Sequence, residues 1–231
     1  MRQVIVVLAV AALAGCGGEN DGTAKLWITR DMGAHVILQR NVPAGLTAMQ
    51  ALDRIAEIKT RYSGRYVLSI NGIEGSLAAR SDWFYFINGY EADRSAAEYR
   101  LHDGDVEWWD FRSWRTQMRE PVVVGAFPEP FLHGYGGGRL QARVVFVRNA
   151  QRPAAERLAR LIGGRATKGL NAGLKENLNL LVLRSSPETK PSLKAEGGDA
   201  PGDPVVFTFS GNPELLLLRV PFGRFRYQVG R

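Results

Sequence analysis

The side chains best suited to chemistry in this sequence are aromatic. Trp83, Phe84, Tyr85 and Phe86 form one run and Trp108-Trp109 a second. Alternation along a strand puts Trp83 and Tyr85 on one face of a sheet and Phe84 and Phe86 on the other, while Trp108 and Trp109 point opposite ways. Both faces of such a sheet are aromatic, and one helix covers only one of them. The second set either packs under the rest of the chain or stacks on a flat ligand. Tyr and Trp suit stacking, because each buries a ring while its O–H or N–H still finds a partner. The candidate ligand-binding residues are therefore Trp83, Tyr85 and Trp108, with Asn88 at the end of the first run.

Catalytic and metal chemistry finds little support. The three histidines, His35, His102 and His133, have no second ligand at an HExxH-type spacing. His102-Asp103-Gly104-Asp105 is the nearest thing to a ligand cluster, and a turn before a strand explains it better. No GxSxG elbow, SxxK or free cysteine nucleophile is present, and Gly134–Gly138 fits neither a phosphate loop nor GxGxxG. The expectation is no enzyme, no metal and no required cofactor. The formal charge of +7 comes from arginines scattered along the chain, which an arginine-rich composition explains. With no nucleic-acid motif, nucleic acid is not an expected partner; anionic lipid head groups or acidic envelope polymers fit better.

Residues 1–15 carry a positive start at Arg2 and an apolar run from Val4 to Ala12, too short to span a bilayer. Leu13-Ala14-Gly15-Cys16 follows, and it resembles the lipobox of bacterial lipoproteins, in which the cysteine becomes the lipid attachment site. Cys16 is the sole cysteine, so no internal disulfide is expected. Residues 16–23 read as a lipidated cysteine and flexible tether. The resemblance implies an exported protein held by lipid on the outer face of a bacterial membrane.

The remaining elements must position the aromatic runs. Ala24–Arg30 and Ala34–Gln39 flank the turn Asp31-Met32-Gly33 and predict a hairpin. Thr47-x-x-Gln50 is a capping box, and Ala48, Ala51, Leu52, Ile55 and Ile58 give one apolar helix face ending near Thr60. Strands are expected at Tyr66–Ile70, Asp82–Asn88 and Val106–Arg112, with a short extended piece near Glu98–Leu101. Hairpin, helix, then several strands is the β-grasp order.

Within it Ser69, Ile70, Gly72, Trp83, Tyr85, Asn88, Gly89, Leu101, Asp103, Gly104, Asp105 and Trp108 follow a pattern that resembles the C-terminal domain family of transcobalamin and intrinsic factor. The resemblance covers residues 24–112. It implies a β-grasp domain that closes over a flat macrocycle, with cobalamin or a related corrinoid as candidate ligand and a membrane transporter as candidate partner. The large helical domain of the cobalamin carriers has no counterpart here.

Residues 113–138 read as a Pro/Gly-rich linker in which Phe127 and Phe131 brace two domains. Residues 139–231 predict a small α+β domain. Its strands fall at Arg139–Arg148, Leu178–Arg184, Val205–Ser210 and Leu215–Val220, with a helix from Pro153 to Gly163 and a mobile loop over 185–204. The fold class is α+β: a β-grasp-like domain of hairpin, helix and mixed sheet, then a second small α+β domain. Two functions fit this frame: a lipid-anchored, non-catalytic binding module for a flat small molecule such as a corrinoid, or a structural or protein-interaction envelope lipoprotein without a ligand. An envelope enzyme is the weakest third.

Overall fold

The structure is a computed structural model that describes residues 22–169, 177–184 and 190–230. Cys16, the signal segment and most of the tether lie outside the described residues. The fold is α+β, as expected. Strands β1 (Thr23–Arg30) and β2 (His35–Pro43) form the N-terminal hairpin. Helix α1 (Ala48–Asp53) follows, then β3 (Ile58–Arg61), β4 (Tyr66–Ile70), β5 (Ile73–Glu74), β6 (Ser81–Ile87), β7 (Tyr90–Glu91) and β8 (Val106–Ser113). The main sheet runs β2-β1-β8-β6-β7, and β1 lies parallel to β8 at its centre. Strands β3, β4 and β5 form a separate small sheet.

The capping box at α1 is present in full: Gln50 N donates to Thr47 Oγ1 at 3.2 Å, and Thr47 N donates to Gln50 Oε1 at 2.9 Å. The helix stops at Asp53, short of Thr60. Ile58 pairs with Ile70 instead, and the Asn71 side chain accepts from Glu57 N at 3.0 Å, so strand pairing takes the second half of the apolar stripe. The extended piece expected near Glu98–Leu101 reduces to one bridge between Arg100 and Thr47.

Across residues 113–138 the chain does more than link. Helix α2 (Glu129–Leu132) carries Phe131 into the core, where its ring meets Phe207 at 5.1 Å, and Phe127 meets the same ring at 6.2 Å. Beyond it come β9 (Gln141–Phe146), α3 (Arg152–Leu161), β10 (Arg165–Lys168), β11 (Leu178–Arg184), β12 (Ser192–Glu196) and β13 (Val206–Ser210). They make a sheet of order β10-β9-β11-β13-β12, parallel except for the edge strand β12.

Two expectations for this half are corrected. The 185–204 segment holds a strand, β12, whose Leu193 is fully buried. Leu215–Val220 is not a strand: Pro213–Leu217 forms a 3₁₀ turn, opened by Asn212 Oδ1 accepting from Glu214 N at 3.1 Å. Four successive leucines lack the alternation that holds a strand in register, and Asn-Pro favours a turn.

The main sheet is covered on both faces. Leu26, Ile28, Trp83, Ile87 and Trp109 pack with Ala48, Ala51 and Leu52 of α1 in a core that continues into the second half. Trp27, Phe86, Val106 and Trp108 form the core of the opposite face with Val123, Ala126 and Tyr227. The extreme C-terminal segment thus returns to the first sheet. Gly33, in the β1–β2 turn, permits this: a Cβ there would sit 1.4 Å from the Phe225 carbonyl oxygen, and its φ is +76°.

Candidate functional site

The four aromatic and amide residues singled out by sequence are not brought to one surface. Trp83 and Tyr85 face α1. The Trp83 indole N–H donates to Ile73 O at 2.8 Å, and its ring lies 5.2 Å from Phe111. Tyr85 stacks on Trp109 at 4.9 Å and 20°, and its hydroxyl donates to Arg94 O. Burial holds that hydroxyl far above the usual tyrosine range. Trp108 points to the opposite face, donates to Thr29 Oγ1 at 2.7 Å and meets Tyr227 edge-on at 5.7 Å.

Asn88 is a turn residue. With Gly89 it takes two successive positive φ values, 51° and 90°. Its Oδ1 accepts from Val106 N at 2.7 Å, and its Nδ2 donates to Asp105 Oδ1 at 2.6 Å. The open stacking surface expected from Trp83, Tyr85 and Trp108 is thus filled by the protein's own side chains. Strand alternation separates Trp108 from the other two, and Phe225 and Tyr227 close its face.

The acidic groups near these strands also have structural partners. Asp110 accepts from Thr29 Oγ1 at 2.5 Å, Gly33 N at 3.0 Å and Met32 N at 3.1 Å, which ties the β1–β2 turn to β8. Burial raises its pKa, and the Thr29 hydrogen bond opposes that rise. His102 and Asp103 belong to a turn, as expected: Asp105 Oδ2 accepts from His102 N at 2.8 Å and Asp103 Oδ1 from Thr23 N at 2.9 Å. Among the described residues no group of three His, Cys, Asp or Glu side chains is placed to hold a metal ion. Nor is any helix among them long and apolar enough to cross a membrane.

A cleft of about 300 Å³ lies open at the β1–β2 edge, lined by Lys25, Trp27, Gln39, Arg40, Asn41 and Arg224. The strands explain this set. Trp27 pairs with Gln39 and Lys25 with Asn41, so these four side chains share one face. Arg40 belongs to the other face, but at the edge its guanidinium folds back to donate to Gln39 O at 2.9 Å.

Arg224 arrives from the C-terminal segment. Its guanidinium lies over the Trp27 ring at 4.1 Å and over Phe225 at 5.2 Å. Burial pulls its pKa below the usual arginine value, and the charge of Glu129 acts the other way. Lys25 reaches Glu129 at 3.3 Å. Among the described residues no carboxylate lines the cleft. Trp27 is itself buried, so the charged group beside the cleft is the Arg224 guanidinium that lies over its ring. A planar cation flanked by a second arginine, a lysine and two amides suits a flat anionic group. The pairing of Lys25–Trp27 with Gln39–Asn41 was open to sequence reasoning; nothing in sequence placed Arg224 beside them.

Residues 45–113 match the sequence model of a family described as a domain of unknown function (DUF4430), a stretch that runs from the cap of α1 to the end of β8. The siroheme synthase of Nitrosococcus oceani is 30% identical over 202 residues, covering 82% of this chain and 42% of that protein. The chain therefore spans about two fifths of that relative. Among solved structures, a candidate metal-binding protein from Ruminococcus gnavus aligns over 40% of this chain and 98% of its own, with 10% identity and a TM-score of 0.33. Haptocorrin in complex with Cbi aligns over 38% of this chain and 25% of its own, with 13% identity and a TM-score of 0.32.

Proposed function

We propose that this protein is an exported, non-catalytic binding module, anchored outside the cytoplasm by lipid on Cys16, that takes a flat anionic small molecule at the Trp27–Arg224 cleft. The observation that carries this reading is the Arg224 guanidinium 4.1 Å over the Trp27 ring, in a cleft that among the described residues is lined by cations and amides without a carboxylate. At about 300 Å³ the cleft grips the edge of a ligand such as a macrocycle and leaves the rest outside. The name of the Nitrosococcus relative concerns siroheme, so a carboxylate-bearing tetrapyrrole is the first class to test, with a corrinoid as the second. A membrane transporter is the partner such a module would serve.

Trp27 provides the assay, since a macrocycle at Arg224 quenches a nearby indole. Titration of the full chain with uroporphyrin and with cobalamin is expected to give saturable quenching with one of them. Arg224→Gln should weaken it about tenfold, the scale of one charge-assisted contact. Absence of saturable quenching by either macrocycle would leave the second reading, a structural or interaction lipoprotein. That reading is favoured by one specific observation, the burial of Trp83, Asn88 and Trp108 in the protein's own core. The anchor is tested separately: Cys16→Ser should release the protein from membranes or leave an unprocessed precursor, and unchanged retention with normal processing would refute it.

A further inference from the structure

A cavity of about 530 Å³ lies where β9 and β10 begin. Arg139, Arg143 and Arg165 line it together with Gly163 and Gly164, and among the described residues its lining contains no Asp or Glu. Arg143 and Arg165 are directly paired residues on adjacent parallel strands. Like charges at paired strand positions repel and destabilise the sheet. A sheet edge built this way needs a counter-charge.

Among the described residues the protein's own groups supply little of it. Arg143 donates to Thr167 Oγ1 at 3.4 Å, and its Nε is buried without a hydrogen-bond partner. Arg139 makes one long contact, to Leu132 O at 3.4 Å. The arginines in the ion pairs of the described residues are others: Arg65, Arg94, Arg112 and Arg157. The α3 helix ends at this cavity, and its terminal carbonyls favour a cation nearby. Arg160 already stands in that last turn, so the helix end does not account for three more guanidinium groups.

We infer that this cavity is an oxyanion site, built for a phosphate-type group held by the forks of Arg139, Arg143 and Arg165. Guanidinium matches phosphate oxygens in pairs, and a dianion relieves the repulsion between the paired strand positions. Gly164 gives the site its shape, because a Cβ there would lie 2.4 Å from Ala142 O and push β9 from the helix end. The site is separate from the Trp27 cleft and shares no lining residue with it.

The phosphate could be carried by a soluble molecule or by a lipid headgroup, and two arms separate these sources. Calorimetric titration of the full chain with inorganic pyrophosphate tests the first. Sedimentation with vesicles of phosphatidic acid in phosphatidylcholine, against phosphatidylcholine alone, tests the second. The expected result is saturable binding in at least one arm, weakened tenfold or more by Arg143→Gln and unaffected by Arg224→Gln. Should Arg143→Gln fail to fold by circular dichroism, Arg139→Gln, at an exposed position, takes its place with the same expectation. Arg165→Lys should also weaken binding, because it keeps the charge and loses the fork. No saturable binding in either arm overturns the inference, as does binding that these substitutions leave unchanged.

Discussion

The two faces of the first sheet carry similar aromatic loads and are closed in different ways. The face toward α1 is sealed largely by neighbours in sequence: Ala48, Ala51, Leu52, Ala96, Tyr99 and Leu101 all come from residues 24–112. The opposite face, with Trp27, Phe86 and Trp108, is closed by Val123, Ala126, Phe225 and Tyr227. Its cover includes nearly the last residues of the chain. One face is therefore a local product of the β-grasp order, and the other depends on the whole polypeptide. Sequence composition gave residues 24–112 the look of an independent domain. The packing makes its second face conditional on residues that lie far beyond it.

The largest expected effect breaks this dependence outright. A chain ending at Arg115 uncovers Trp27, Phe86 and Trp108 together. Burial of each large apolar side chain is worth about 1.5–3 kcal/mol, so the loss is roughly 5–9 kcal/mol, comparable to the total stability of an ordinary domain. Urea unfolding of the shortened chain should show no cooperative transition or a sharply lowered midpoint. A transition as stable as that of the full chain would show that the β-grasp unit stands alone and that the C-terminal cover is dispensable.

Single substitutions sharpen the same contrast. Trp108→Ala empties the centre of the distant-cover face and leaves the Thr29 hydroxyl without its indole donor. A cost of about 3–5 kcal/mol is expected. Tyr85→Ala removes a ring that is only partly buried, and about 1–2 kcal/mol is expected from the smaller area and the lost stack on Trp109. Equal costs in chemical unfolding would mean that the two faces contribute alike.

Much of the local face was legible in sequence, because its signals are short-range. The capping box, the Asn88-Gly89 turn, the hairpin around Gly33 and the alternation of Trp83 with Phe84 each need only a few adjacent residues. The extent of α1 was not legible, since Ile55 and Ile58 fit a helical stripe as well as the strand pairing that claims Ile58. The same limit governs the candidate site. Alternation correctly assigns Trp83 and Tyr85 to one face, but it does not fix which of Trp108 and Trp109 joins them. Register decides this, and β6 pairs Tyr85 with Trp109. Arg224 over Trp27 was beyond reach for a different reason: no local pattern reports a contact across nearly the whole chain.

A smaller effect separates the faces by charge. Glu107 lies in the α1 face, fully buried; its Oε1 accepts from the Trp109 indole at 2.5 Å, and its Oε2 has no hydrogen-bond partner among the described residues. Burial raises its pKa well above 4.5, and the nearby charge of Asp105 adds to the rise while the Trp109 hydrogen bond opposes it. The folded state therefore holds a proton that the unfolded chain releases. Its contribution to stability is complete below the unfolded value and is lost as pH rises through the folded one. Glu107→Gln removes that loss. It should stabilise the protein at pH 7 by about 1–3 kcal/mol, the scale of an unsatisfied buried group, and flatten the pH dependence above pH 5. A variant less stable than wild type at pH 7, with the slope unchanged, would show that the carboxyl is paired in solution.

The smallest effect lies where the two halves meet. His133 Nδ1 is 2.8 Å from Glu129 Oε2, and Lys25 approaches the other oxygen at 3.3 Å, so Lys25 ties α2 to β1 by charge. Burial acts to raise the Glu129 pKa, but the His133 hydrogen bond and the Lys25 charge outweigh it and hold the carboxyl below its usual range. The same hydrogen bond raises His133 above 6.5, against a smaller opposing effect of burial. The signs place the window. The carboxylate's contribution is present above its unfolded pKa and fades as pH falls through the lowered folded value. The imidazolium's contribution is complete below 6.5 and fades as pH rises through the raised folded value. The His133–Glu129 pair therefore stabilises this end of α2 most between about pH 4.5 and 6.5. Because His133 is partly exposed, the gain is about 0.5 kcal/mol. His133→Gln keeps a hydrogen-bonding side chain and removes the titration. Urea midpoints measured from pH 5 to 8 should fall across that range in wild type and change less in the variant. Identical profiles for the two would mean that the His133 charge adds nothing to stability at this end of α2.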